Sequence, residues 1–204
     1  MIYGKYRYAR NSAWQCLIDY NVTSLPVNVV SIAKKAGIKV IENRKVNNLF
    51  NKLSSDESGK SIIENDKWHI IFNETESKCR CKFTVAHELG HIVLGHKLKN
   101  GHHARTFDLS KPETETEADI FASRLLAPAC VLWALDLHTP EEIAKICDIS
   151  NKAAKIRAER MNILYERDKF LTSPLEKQVY ENFKEFINRQ KNIPKERQLD
   201  GDIG

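Results

Sequence analysis

The chain has 204 residues, 42% of them hydrophobic and 29% charged, with a formal net charge of +5. That length is enough for one sizeable core or for a compact domain with a smaller appendage, and the apolar content excludes an intrinsically disordered chain. The charge is only mildly basic and its Lys and Arg are strewn along the chain, so composition gives weak support to a nucleic-acid partner.

The N-terminal stretch MIYGKYRYARNSAW has no continuous apolar run, which predicts that no secretory signal is present. The longest nearly unbroken apolar segment, Leu125 to Leu135, is about half of the roughly 20 residues a membrane span needs, and Pro128 interrupts it. Five cysteines at irregular spacing (Cys16, Cys79, Cys81, Cys130, Cys147) argue against a disulfide framework and for free thiols in a reducing compartment. The expectation is a cytoplasmic protein without a membrane partner.

Along the chain, Ala9 to Tyr20 predicts a first helix and LPVNVVSIAKKAG a second that Gly37 stops. IKVIE reads as a short strand, LSSDESGKS as a loop, and SIIENDKWHIIFNE as a hairpin turning at Asn65-Asp66. On its second arm Trp68, Ile70 and Phe72 share one face, with His69, Ile71 and Asn73 on the other. A helix carrying FTVAHELGHIVLGH follows and ends near Gly95. Lys97 to Pro112 then reads as a loop in which His102 and His103 are solvated, and Thr114 to Ala127 as a helix closed by Pro128. LHTPEEIAKICDISNKAAKIRAERM predicts two short helices with a turn at Asp148-Ile149-Ser150. The first is opened by a Thr139/Glu142 capping box with Pro140 behind it. PLEKQVYENFKEFINRQKNIP predicts a final amphipathic helix.

His87, Glu88 and His91 carry the chemistry. Four residues apart on a helix, the two imidazoles stand about 40° apart and one turn along, so both can reach one ion. Glu88, about 100° around from His87, can reach a water beside that ion without ligating it. Zinc accepts two His and one carboxylate in a catalytic site, one ion per chain, and another divalent metal also satisfies the donors. For the third ligand, a His six residues beyond His91 would mark a metzincin. Here Gly95 and His96 come four and five residues on, which on a continuing helix puts His96 well around from the pair, and that template fails. The remaining candidates are Glu113, Glu115, Glu117 and Asp119. Glu117 shares a face with Phe121 and Arg124 and is the expected ligand, with a Thr114/Glu117 capping box as the competing use. Asp119 could orient a ligand His through its free ring nitrogen, but it points about 200° from Glu117, and use at the surface or in a cap stays open beside that role.

HELGH followed by ETEADIFASRLLAP resembles the ImmA/IrrE family of metallopeptidases, and the likeness extends to LPVNVVSIAKKAGIKV upstream and LHTPEEIAKICDIS downstream. The resemblance implies zinc on His87, His91 and Glu117, Glu88 as the catalytic carboxylate, and a transcriptional repressor of a phage or other mobile element as the protein substrate. The expected fold is α+β: a zincin-like core with a small sheet, plus a C-terminal helix-turn-helix-like region. The expected organisation is an N-terminal helical segment (1–24), a peptidase core (25–136), the helix-turn-helix-like region (137–173) and a C-terminal helix with its tail (174–204).

An extended substrate is expected to pair with Trp68, His69, Ile70 and Ile71 as an exposed edge strand. His69 itself reads as exposed. The competing function is a DNA-binding regulator with a residual metal site, reading DNA through Asn151, Lys152, Lys155, Arg157 and Arg160 on the second of the paired helices. Packing beside the core or docking a protein is the preferred use of that pair.

Overall fold

Local signals set most element boundaries. In the computed structural model, which describes residues 6–96, 102–104 and 112–193, α1 spans Arg7–Asp19 and α2 spans Val29–Lys35. The Asn28 side chain accepts from the Ser31 N–H to start α2, and Gly37, at φ +74°, supplies the left-handed residue that follows its end. After β1 (Lys39–Glu42), Asn65 and Asp66 at φ 51° and 58° turn β2 (Gly59–Glu64) into β3 (Lys67–Phe72). Both residue types tolerate the left-handed conformation that a two-residue hairpin turn needs. β2 starts at Gly59, two residues earlier than composition suggests.

The sheet has the order β1-β3-β2-β4, where β4 is His102–Ala104. β1 runs parallel to β3, with Val40 opposite Ile70, and the other pairings are antiparallel. β3 is therefore an interior strand, engaged on both sides, and the expected open edge at Trp68–Asn73 is not there. A parallel neighbour arriving from well upstream leaves no local trace in the sequence. Most of the loop expected between Lys97 and Pro112 lies outside the described residues; the parts that are described are β4 and Pro112, which precedes the next helix.

α3 (Lys78–Val93) packs on β2 and β3, and α4 (Glu113–Leu126) is held between α3 and α1. α5 (Ala129–Ala134), α6 (Pro140–Cys147), α7 (Asn151–Glu166) and α8 (Pro174–Lys191) complete the described elements, with α8 against α1 and α5. The Thr139/Glu142 capping box is formed, and Asp148 at φ 50° ends α6. One apolar cluster joins α1 through α8, from Ala9 to Ile187. A second, of Val46, Ile62 and Ile71, covers the other face of the sheet.

β2 approaches α3 closely because Gly59 has no side chain: a Cβ there would stand 2.3 Å from Thr84 Cγ2 and 2.9 Å from the Ile71 carbonyl oxygen. Two residues of strand advance about 6.6 Å and four of helix about 6 Å, so the next inward residue, Ser61, falls beside Glu88. Gly59→Ala is expected to lower the unfolding free energy by about 1–3 kcal/mol through overpacking. A urea titration with an unchanged midpoint would show that strand and helix can part without loss.

Candidate active site

From Thr84 to His91 every residue of α3 is buried, so this half of the helix is enclosed on all sides. His87, Glu88 and His91 are at most 1% exposed. Imidazoles and carboxylates in such an interior cost several kcal/mol unless they are partnered, which excludes a His-rich surface turn.

His87 Nε2 and His91 Nε2 lie 3.0 Å apart, and the Glu115 carboxylate closes the triangle at 3.2 Å from His87 and 3.1 Å from His91. These three residues form a cluster able to hold a divalent metal, with one donor atom from each lying within 4.8 Å of the others. Behind the cluster, His87 Nδ1 is 2.8 Å from Asp119 Oδ1. His91 Nδ1 is 2.9 Å from His96 Nδ1, and His96 Nε2 is 3.1 Å from Glu117 Oε2. Beside it, the Ser61 hydroxyl donates to Glu88 Oε2 at 2.9 Å. α4 comes near enough to deliver Glu115 because Gly90, in the motif itself, leaves room for the Phe121 ring, which a Cβ would meet at 3.0–3.2 Å.

Burial opposes charge on Glu115, but hydrogen bonds from His87 and His91 outweigh it and hold the carboxyl well below its usual range. Burial lowers His91, and His87 beside it adds to the effect against the pull of Glu115. Burial likewise lowers His96, with His91 contributing. Neutral imidazole is the form that ligates a metal.

Sequence reasoning placed Glu117 in this cluster; the structure brings Glu115 there, and Glu117 to His96. The error is one of helix phase. With Ala118 at the centre of the buried stripe of α4, which also holds Phe121, Ala122 and Leu125, Glu115 stands about 60° to one side and Glu117 about 100° to the other. Asp119, one turn beyond Glu115, then falls on the side of His87, in the ligand-orienting place that the sequence leaves open beside a surface or capping use. His96 also departs from its expected place. α3 ends at Val93 and Gly95 takes φ +70°, so the chain leaves the helix and the His96 N–H returns to the His91 carbonyl at 3.0 Å.

The residues proposed to hold substrate are buried or shared with the core. Trp68 and Ile70 face α3, Ile71 belongs to the second apolar cluster, and none is on an edge strand. His69 is 7% exposed on the face away from α3, with Nδ1 3.0 Å from the Lys67 carbonyl, so it is neither exposed nor directed at the cluster. His102 and His103 pair through β4 with Ile62 and Ser61. Ser61 itself escaped sequence reasoning because nothing local says which face of a hairpin a helix will cover.

The helix pair α6–α7 is docked. Lys82 on α3 donates to the Asp148 carbonyl at 2.8 Å and pairs with its carboxylate, and Arg157 is 2% exposed with its Nε on the Ala127 carbonyl at 2.8 Å. Burial draws the Arg157 guanidinium down to about 10. One of the basic residues expected to face DNA therefore caps the end of α4, while Asn151, Lys152 and Lys155 are exposed and Arg160 is half-buried.

A His-Glu-x-x-His helix facing a glutamate from the next helix, under a small sheet, defines a metallo-endopeptidase. The model of the IrrE N-terminal-like domain, Peptidase_M78, matches residues 33–159, and the chain belongs to that family. No curated protein matches it. No helix among the described residues is long and apolar enough to cross a membrane.

Proposed function

We propose that the chain is a zinc-dependent endopeptidase acting on a protein substrate, with His87, His91 and Glu115 holding the ion and Glu88 as general base. The observation that carries this reading is the convergence of two imidazole Nε2 atoms and one carboxylate in the protein interior. Two imidazole nitrogens and one carboxylate oxygen are the donor types that zinc accepts in catalytic sites, so these residues would suit it. When bound, zinc polarises a carbonyl and lowers the pKa of water toward about 7. Glu88, held by Ser61 at Oε2, takes the proton from the attacking water and returns it to the leaving amine.

Because β3 is interior, an extended peptide has the sheet edges for pairing. β4, bonded to the strand that carries Ser61, is the edge on the Glu88 side. Only an unfolded or loosened stretch can add to such an edge, so cleavage is expected in a linker. The family resemblance supports a helix-turn-helix repressor of a phage or mobile element as the substrate, with α6 and α7 contributing to the choice of partner. Five cysteines, none in a disulfide, support a cytoplasmic setting.

Zinc added to metal-free protein at 100 times its Kd is expected to raise stability by about 2.7 kcal/mol and to restore cleavage of an unfolded protein substrate, both reversed by chelator. A melting temperature and a cleavage rate indifferent to zinc would refute the reading.

A further inference from the structure

We infer that His96 and Glu117 form an indirect positioning arm for His91, the counterpart of the direct arm that Asp119 gives His87. The inference rests on the metal-site reading above and deepens it.

For His91 to offer Nε2 to an ion, its proton must sit on Nδ1, and that N–H faces His96 Nδ1 at 2.9 Å. His96 Nδ1 can then only accept, which places the His96 proton on Nε2, where Glu117 Oε2 at 3.1 Å accepts it. Each tautomer is fixed by the next group outward, and the chain ends on a carboxylate, an acceptor only. On the other side of the cluster His87 Nδ1 meets Asp119 Oδ1 directly at 2.8 Å. The turn at Gly95 and the return of the His96 N–H to the His91 carbonyl hold the intervening ring in place, and the two rings meet edge to face with centroids 5.0 Å apart.

Partners of this kind set the orientation and tautomer of a ligating imidazole, and their loss costs about 10- to 100-fold in metal affinity. His96 and Glu117 are positioning residues; neither touches the reacting atoms. Because they act in series, removing both should cost no more than removing one. Glu117 acts only as a hydrogen-bond acceptor, so an amide oxygen can replace it, whereas an ammonium reverses the chain: His96 Nε2 becomes the acceptor and its Nδ1–H then opposes the Nδ1–H of His91.

The test measures the zinc Kd by chelator competition and the visible spectrum of the cobalt-substituted full-length protein for His96→Ala, Glu117→Ala, Glu117→Gln, Glu117→Lys and the double alanine variant. Urea unfolding of each metal-free protein serves as the folding control. The expected result is a Kd raised about 10- to 100-fold in either alanine variant, no further loss in the double variant, near-complete recovery in Glu117→Gln, and a larger loss in Glu117→Lys than in Glu117→Ala. A perturbed cobalt spectrum is expected wherever affinity falls. Unchanged affinity in His96→Ala, independent losses that multiply in the double variant, or a glutamine variant as weak as alanine overturns the arm. A wild-type protein that binds no metal overturns the proposed function itself, and the arm with it.

Discussion

Glu115→Ala is expected to empty the metal centre, while Glu117→Ala only loosens it. Zinc sites bind with about 10–16 kcal/mol in all, so one ligand among four accounts for roughly 3 kcal/mol, more than most supporting residues contribute. Substitution by glutamine separates the two glutamates more sharply than alanine does. Glu115→Gln presents a neutral amide where an anionic oxygen is required, and the site should stay weak. Glu117→Gln leaves an amide oxygen that still accepts the His96 N–H, and the site should recover. Equilibrium dialysis with zinc reads both. Recovery in Glu115→Gln together with failure in Glu117→Gln would exchange their roles and place the ligand where the sequence alone suggested it.

Glu88→Gln is expected to cut turnover by roughly 10²- to 10⁴-fold and to leave about one equivalent of metal bound, because the carboxylate is assigned to proton transfer and not to ligation. Glutamine keeps the shape of the side chain and an oxygen for the Ser61 hydroxyl, so the loss isolates the base. A variant that releases its metal would make Glu88 a ligand, and one that cleaves at the normal rate would remove it from the mechanism. The same variant, still holding metal and turning over slowly, is the natural bait for an unidentified substrate.

Elements closed by their own side chains were legible in the sequence: the hairpin at Asn65-Asp66, the α6 capping box and the end of α2 before Gly37. His87 and His91 were legible as a pair for the same reason, since their spacing alone puts them on one side of one helix. Choosing between Glu115 and Glu117 needed the phase of α4 against α3, which packing of Gly90 on Phe121 decides between residues far apart in the chain. The interior position of β3 and the contact of Ser61 with Glu88 come from pairings between distant segments, which no local pattern encodes. His96 was misplaced by counting helical turns through Gly95, a residue that ends them.

The helix that supplies Glu115 leans on α1, and α1 lies wholly ahead of residue 33, where the family's shared sequence begins. α8, which braces α1 in turn, lies wholly beyond residue 159. The stretch that bears the signature is thus not a transplantable module. Cut at its borders, it would keep every donor atom of the centre and lose the buttress that holds α4 in phase with α3. Engineering this peptidase, by fusion or by trimming, has to treat the two ends of the chain as part of the catalytic chassis.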